Sequence, residues 1–183
     1  IESVLQQTYT DWELLLLDDG STDNSLSIAQ SYAQKDSRIK VISDGKNKNL
    51  ATRLNELPSL AQGLYLARMD ADDIMLPARI ERQLAVLKAH PEIDVLGTNA
   101  YIINDENAVT STRYPLTPKN TLTRVKSFIH PTIIAKKQWF LENPYDTKAL
   151  RMEDAELWYR THSKYHFVRL NEPLMFYREV GNN

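Results

Sequence analysis

The chain contains no cysteine, so neither a disulfide framework nor a thiolate metal site can be built from it, and the composition fits a reducing compartment. An excess of one charge is also missing: 22 basic residues stand against 24 acidic ones, for a net charge of −2. With no surplus of Lys and Arg to displace phosphate counterions, nucleic acid is not an expected partner. No apolar run approaches the roughly 18 to 20 residues of a membrane helix, and no signal-peptide pattern opens the chain. Any membrane contact is therefore expected to be peripheral, or carried by parts outside this sequence. The GxSxG, P-loop and GxGxxG motifs do not occur, which removes the usual markers of serine hydrolases, P-loop NTPases and dinucleotide enzymes. His90, His130, His162 and His166 show no HExxH-like metal spacing, and only His130, ahead of Pro131-Thr132, is kept as a candidate.

What is present suits one globular domain spanning 1–183, with a hydrophobic share of 42% and a charged share of 25%. Ile1, Val4 and Leu5 have helical spacing, so the chain opens inside a helix. Glu13 to Leu17 reads as a buried strand that empties into Asp18-Asp19-Gly20-Ser21, and its lack of alternation favours a parallel sheet. Ser21, Thr22 and Asp23 are helix-capping residues for a stretch with Leu26, Ala29, Tyr32 and Ala33 at helical spacing. Ile39 to Ile42 is the next strand, followed by a polar loop and a helix from Leu50 to Leu60 that Pro58 should bend or interrupt. Leu64 to Met69 is a third strand, and it runs into Asp70-Ala71-Asp72-Asp73.

Pro77 opens a helix whose apolar stripe is Ile80, Leu84 and Leu87. Val95 to Gly97, Tyr101 to Ile103 and Thr132 to Ala135 read as strands, and a last helix runs from about Asp154 to His162. Beyond Asn104 the pattern weakens, dividing the domain into an expected nucleotide-sugar half, 1–103, and an acceptor-side half, 104–183. Strands alternating with helices indicate an α/β sandwich with a mainly parallel central sheet, whose ligands gather at the C-terminal ends of strands. Both acidic clusters sit at such ends.

Three carboxylates within four residues, Asp70, Asp72 and Asp73, repel one another by roughly 1 to 4 kcal/mol per pair at about 4 Å, and a divalent cation relieves that repulsion. Mg²⁺ or Mn²⁺ suits such oxygen donors, usually one or two carboxylates plus substrate phosphates. A solvated turn capping the following helix explains the same residues without a metal. Asp18 and Asp19 precede Gly20-Ser21-Thr22-Asp23, a loop that either caps a helix or offers a carboxylate to the N–H of a base such as uracil. Glu153 and Asp154 favour the positive end of their helix, and Asp154 is also placed to take a proton from an attacking hydroxyl. Trp158 is either core or a flat wall for a sugar.

Taken in order, SVLQQTYTDWELLLLDDGSTDNS, LYLARMDADDIMLPARIERQLAVLKAHPEIDVLG and RMEDAELWYR resemble the inverting family 2 glycosyltransferases of the GT-A fold. The resemblance spans Ser3 to about Arg178. It implies that Asp19 contacts the nucleobase, that Asp70 completes a DxD pattern with Asp72 near the ribose, and that Asp73, with Asp72, ligates a divalent Mn²⁺ or Mg²⁺. It further implies that Arg53 reaches the diphosphate and that Asp154 is the catalytic base, with His130, Glu153 and Trp158 on the acceptor side. The implied partners are a nucleotide-diphosphate sugar, UDP-sugars favoured, and a saccharide or lipid-linked saccharide acceptor. The implied setting is cytoplasmic, at the inner face of the membrane, in bacterial surface polysaccharide assembly.

Two departures accompany the resemblance. The family's opening strand, an apolar run ending Pro-x-Tyr-Asn, does not precede Ile1, so the expected sandwich lacks its first strand and the domain is expected to be cut short at both ends. Leu57-Pro58 also stands where relatives carry Gly-containing helix. Two other readings remain open: a sugar nucleotidyltransferase of the same architecture, and a non-catalytic binding domain.

Overall fold

The structure, a computed structural model, describes residues 1–179. A short helix α1 (Glu2–Leu5) precedes strand β1 (Leu14–Asp18), helix α2 (Ser25–Ala33), strand β2 (Ile39–Ser43) and helix α3 (Leu50–Leu60). Strands β3 (Tyr65–Ala67) and β4 (Ile74–Met75) flank the acidic triplet, and helix α4 (Arg79–Ala89) leads to strand β5 (Val95–Ile103). Next come β6 (Val109–Thr112), β7 (Leu122–Arg124), a 3₁₀ turn (His130–Thr132) and β8 (Ile134–Lys136). Helices α5 (Lys137–Glu142) and α6 (Glu153–Thr161) and strand β9 (Phe167–Arg178) complete the order.

The main sheet has the order β3-β8-β5-β9-β4, with β6 added on β5 and β7 on β9. The parallel pairing expected from the sequence holds in its longest ladder, β5 with β9, and in β1 with β2, which form a separate two-stranded sheet. The shorter partners of the main sheet pair antiparallel, so that sheet is mixed. Leu14 to Leu17 are half-buried rather than buried, because β2 on one edge is the only ladder partner β1 has among the described residues.

Strand β5 runs unbroken through the two segments expected there, and its alternation sorts the core into two faces. Val95 packs with Ile133, Phe167, Trp139, Leu157 and Trp158, on the side of α5 and α6. Leu96 packs with Ile134, Val168, Leu170, Leu84 and Leu87, on the side of α4. The sheet is thus covered by helices on both faces. The face of α4 that meets it is not wholly apolar, because Arg79 and Gln83 are completely buried. The Gln83 amide donates to the carbonyls of Leu96 at 3.0 Å and Thr132 at 2.9 Å, tying α4 to β5 and to the 3₁₀ turn.

Pro58 does not interrupt α3, which continues to Leu60. It lies in the last turn, so the missing N–H costs one ladder bond and the helix still closes with Ala61 N–H donating to Leu57 O at 3.0 Å. Strand β9 had no forecast. Its Asn171-Glu172-Pro173 segment hides the periodicity, and its register with β5 shifts beyond Thr98. It pairs with a strand from the first half of the chain, so residues on either side of position 104 share one sheet.

Candidate active site

Loop 18–23 at the end of β1 lies directly on loop 44–48. Gly20 has φ +79°, and a Cβ there would stand 3.1 Å from Asn47 N and Lys46 C, so both the conformation and the space demand glycine. Asp18 is consumed by this turn. Its Oδ1 accepts Ser21 N–H at 3.1 Å and its Oδ2 accepts the Ser43 hydroxyl at 2.8 Å; these bonds hold its carboxyl below the ordinary range.

Asp19 is held differently. Its Oδ1 accepts Lys48 N–H at 2.6 Å and Arg53 Nε–H at 2.9 Å, while no described residue donates to its Oδ2. Arg53, on α3, is 4% exposed. Beyond Asp19 it donates to Asp44, Glu56 and the Lys46 carbonyl, so all five of its N–H groups are engaged. These partners keep its guanidinium charged and hold Asp44 well below the usual carboxylate range. The expectation that Arg53 reaches a diphosphate meets a side chain already committed to fixing Asp19 and the polar loop.

At the end of β3, Arg68 forms a two-pronged ion pair with Asp70, at 2.7 Å to Oδ2 and 2.5 Å to Oδ1. The next two carboxylates diverge. Asp72 is exposed, whereas Asp73 is 6% exposed and accepts the Arg178 N–H at 2.9 Å. Burial pushes the Asp73 carboxyl up to about 7; the Arg178 N–H opposes the shift and the charges of Asp70 and Asp72 add to it. The Arg178 guanidinium also donates to Asp72 O at 3.0 Å, Asn104 O at 2.6 Å and Asn107 Oδ1 at 2.6 Å, pinning the acidic turn to the β5–β6 hairpin.

Among the described residues, no three His, Asp or Glu side chains converge as a ready cation cage. The donors still fit a hard divalent ion that brings phosphate and water ligands with it. Asp72 presents an open carboxylate, and the buried Asp73 Oδ2 has no hydrogen-bond partner. Asp73 can join such a site only through that oxygen.

A cleft of about 380 Å³ opens between these turns and α6, lined by Asp70, Arg68, His130, Glu153 and Asp154. Asp154 sits in the first turn of α6 with Oδ1 accepting Ala155 N–H at 2.8 Å. His130 Nε2 shares a hydrogen bond with the Tyr145 hydroxyl at 2.8 Å, and Tyr145 is fixed to α3 through the Asn55 amide. Burial, with the Arg68 charge adding, holds His130 well below its ordinary pKa, so it is a neutral hydrogen-bonding group.

Trp158 does not line the cleft. It is 2% exposed, edge-on to Phe128, His130 and Phe167 in the aromatic core, so it supports His130 from behind and offers no wall to a sugar. Asp19, Arg53, Asp72 and Asp73 are likewise not among the lining residues, but Leu50 is, and Arg53 follows it one turn along α3. That helix connects the Asp19 loop to the cleft.

Arg68, Arg113 and Tyr114 line the cleft without having been singled out from the sequence. Arg68 carried a signal, as the one cation between an apolar strand and an acidic triplet. Tyr114 carried none. It reaches the cleft because the buried Asn99 side chain grips its backbone at 2.9 and 3.0 Å and Arg169 stacks on its ring at 3.6 Å.

Residues 1–156 match Glycosyl transferase family 2. The putative glycosyltransferase EpsE of Bacillus subtilis is 41% identical over 166 residues, 87% of this chain and 59% of that protein. The Escherichia coli O-antigen biosynthesis glycosyltransferase WbnJ is 30% identical, with 97% of this chain and 72% of that protein covered. The Staphylococcus aureus TarS structure superposes with a TM-score of 0.79 at 18% identity, covering 97% of this chain and 33% of that one. TarS 1-349 in complex with UDP superposes with a TM-score of 0.75 at 17% identity, covering 97% and 55%. The chain therefore spans little more than half of several relatives that it matches, and the TarS likeness speaks for the fold. Matching motifs, a matching GT-A sandwich and a family match over most of its length lead to one assignment: the chain belongs to glycosyl transferase family 2.

Proposed function

We propose that the cleft transfers a sugar from a nucleotide-diphosphate donor to an acceptor hydroxyl by a single displacement with inversion. The observation that carries this reading is the meeting of Asp154 with Asp70 and Arg68 in one cleft, although they lie more than eighty positions apart in sequence. Asp154 accepts the proton of the acceptor hydroxyl, whose oxygen bonds to the anomeric carbon as the bond from that carbon to the diphosphate oxygen breaks. Neutral His130 and Glu153 orient the acceptor by hydrogen bonds. Asp19 Oδ2 accepts the N–H of the base, and Arg53 holds that carboxylate in place.

Asp72, and Asp73 through its unpartnered Oδ2, would hold a divalent cation, which would supply charge neutralisation to the diphosphate. Mn²⁺ or Mg²⁺ suits these oxygens. UDP is the favoured nucleotide, a choice supported by the accepting Asp19 oxygen and by the UDP complex of TarS. The name of WbnJ supports a saccharide product of the bacterial surface, and that of the glucosyltransferase WfgD, 36% identical over 60% of this chain, supports a diphospholipid-linked acceptor. Among the described residues no helix is long and apolar enough to cross a membrane.

The test is Asp154→Asn assayed for sugar transfer and for UDP binding in parallel. Turnover should fall about 10² to 10⁴-fold with UDP affinity unchanged. Retained turnover in the variant removes Asp154 as the base.

A further inference from the structure

His130 and Tyr145 share one hydrogen bond at the buried edge of the cleft, and the two side chains have two hydrogens to place. Both residues are fixed from outside the pair. Pro131 opens the 3₁₀ turn, and Thr132 donates to Ile129 O twice, from N–H at 2.9 Å and from Oγ1 at 2.7 Å, while Gln83 holds the Thr132 carbonyl. Asn55 on α3 grips Tyr145 at both ends: Tyr145 N–H donates to Asn55 Oδ1 at 2.8 Å, and Tyr145 O accepts the Asn55 amide at 2.9 Å. The His130 ring stands edge-on to Trp158, and the Tyr145 ring lies tilted by 53° with its centroid 5.4 Å away.

Across 2.8 Å, the Tyr145 hydroxyl and His130 Nε2 can bond in two senses. If Nε2–H donates to the phenol oxygen, the phenol hydrogen is left without an acceptor among the described residues, on a residue 4% exposed. If the phenol donates to a bare Nε2, the imidazole proton sits on Nδ1. The first arrangement orphans a buried O–H, which costs more than a bond contributes; the second leaves only a phenol lone pair unused. Burial raises the Tyr145 phenol and lowers His130, so the phenol keeps its hydrogen and the imidazole carries one. Nδ1 is the nitrogen with access to the cleft that His130 lines: it has no partner among the described residues, yet it is not sealed off from solvent.

We infer that Tyr145 is a positioning residue, whose hydroxyl holds His130 in the tautomer protonated at Nδ1. His130 thus presents a neutral N–H donor to the cleft, suited to an alcohol or ring oxygen of the acceptor. Its basic nitrogen is turned away from the reacting groups, so it cannot take the proton of the attacking hydroxyl, and that task falls to Asp154. The tautomer stands on the geometry of this corner; the use of its N–H on a substrate oxygen rests on the glycosyltransferase reading.

Long-range proton-to-nitrogen correlation spectra of the isotope-labelled chain at neutral pH read the tautomer directly, with the His130 signals identified by their loss in His130→Gln. Nδ1 should resonate as a protonated, pyrrole-type nitrogen and Nε2 as a bare, pyridine-type one. In Tyr145→Phe both should move toward averaged values, because Nε2 loses the donor that kept it bare. A change that merely loosened the core would not mix the roles of the two nitrogens. Sugar transfer, followed as UDP release, should fall about three- to tenfold in kcat/KM in this variant, the size of one neutral hydrogen bond, with UDP affinity at the parent value.

A parent spectrum with the proton on Nε2 overturns the proposal, as does an Nδ1–H form that persists unchanged in Tyr145→Phe. Should that variant not fold, the parent spectrum alone still decides. Unchanged transfer in a variant whose tautomer has shifted overturns the use of this N–H on substrate. Failure of the parent chain to bind UDP would instead sink the glycosyltransferase reading, while its spectrum still settles the tautomer.

Discussion

At the scale of single residues, neighbouring carboxylates do different work because their surroundings differ. Asp72 stays in water while Asp73 is buried, and burial raises the Asp73 carboxyl to about 7 from an ordinary 3.8. The unfolded chain therefore releases this proton first, and between about pH 4 and 7 the folded state holds a proton that the unfolded state lacks. Stability contributed by this group falls as pH rises through that window and levels off above it. Asp73→Asn keeps an acceptor for Arg178 N–H and removes the titration. Its stability advantage over the parent, read from urea midpoints, should be larger at pH 8 than at pH 5, and equal differences would mean an ordinary carboxyl.

Arg53 invites a second prediction. Its planar fork satisfies four separate acceptors, and a lysine has neither the five donors nor the fixed geometry. Arg53→Lys should weaken UDP binding by about tenfold through a loosened Asp19, measured by calorimetry with the melting temperature followed alongside.

At the scale of elements, the site is positioned by buried polar contacts and close approaches rather than by apolar packing alone. Strand β5 passes under the turn that carries His130, and a Cβ on Gly97 would fall onto the Phe128 ring and stand 3.2 Å from Thr132 Oγ1. Neither neighbour can retreat freely, since Phe128 is wedged among Trp158 and Phe167 and Thr132 Oγ1 accepts the Thr98 N–H. Gly97→Ala should cost about 1 to 3 kcal/mol of stability, as overpacked cores do. Chemical denaturation reads that loss, and an unchanged midpoint would show that Phe128 has room to shift. The same logic assigns Arg178 its place, because one side chain at the end of β9 joins the acidic turn to the β5–β6 hairpin.

For the whole molecule, a ligand bound as proposed would bridge the Asp19 loop, the acidic turn and α6. UDP with Mn²⁺ at 100 times its Kd should add about 2.7 kcal/mol to native stability. For a chain of this size that corresponds to roughly 5 to 10 °C in melting temperature. Adding EDTA should return the midpoint to that of UDP alone. A metal-independent shift would remove the cation from the donor site, and no shift with any nucleotide sugar would favour a domain without this binding function.

Local pattern carried a long way in this chain. β1, β2, α2 and α4 were legible because caps, apolar spacing and breakers act within a few residues of one another. The turns that carry the acidic clusters were legible for the same reason, each following a strand, but of their carboxylates only that of Asp70 is among the residues lining the cleft. β9 was not legible, since its stability comes from pairing with β5, some seventy residues earlier, and no local signal reports a distant partner. Nor could spacing tell that Asp73 turns inward, that Arg53 is saturated or that Trp158 stands behind His130. The residue types alone determined which chemistry was available. Burial and long-range pairing, which depend on what the fold brings alongside each side chain, decided which of those residues face the cleft and which hold it together.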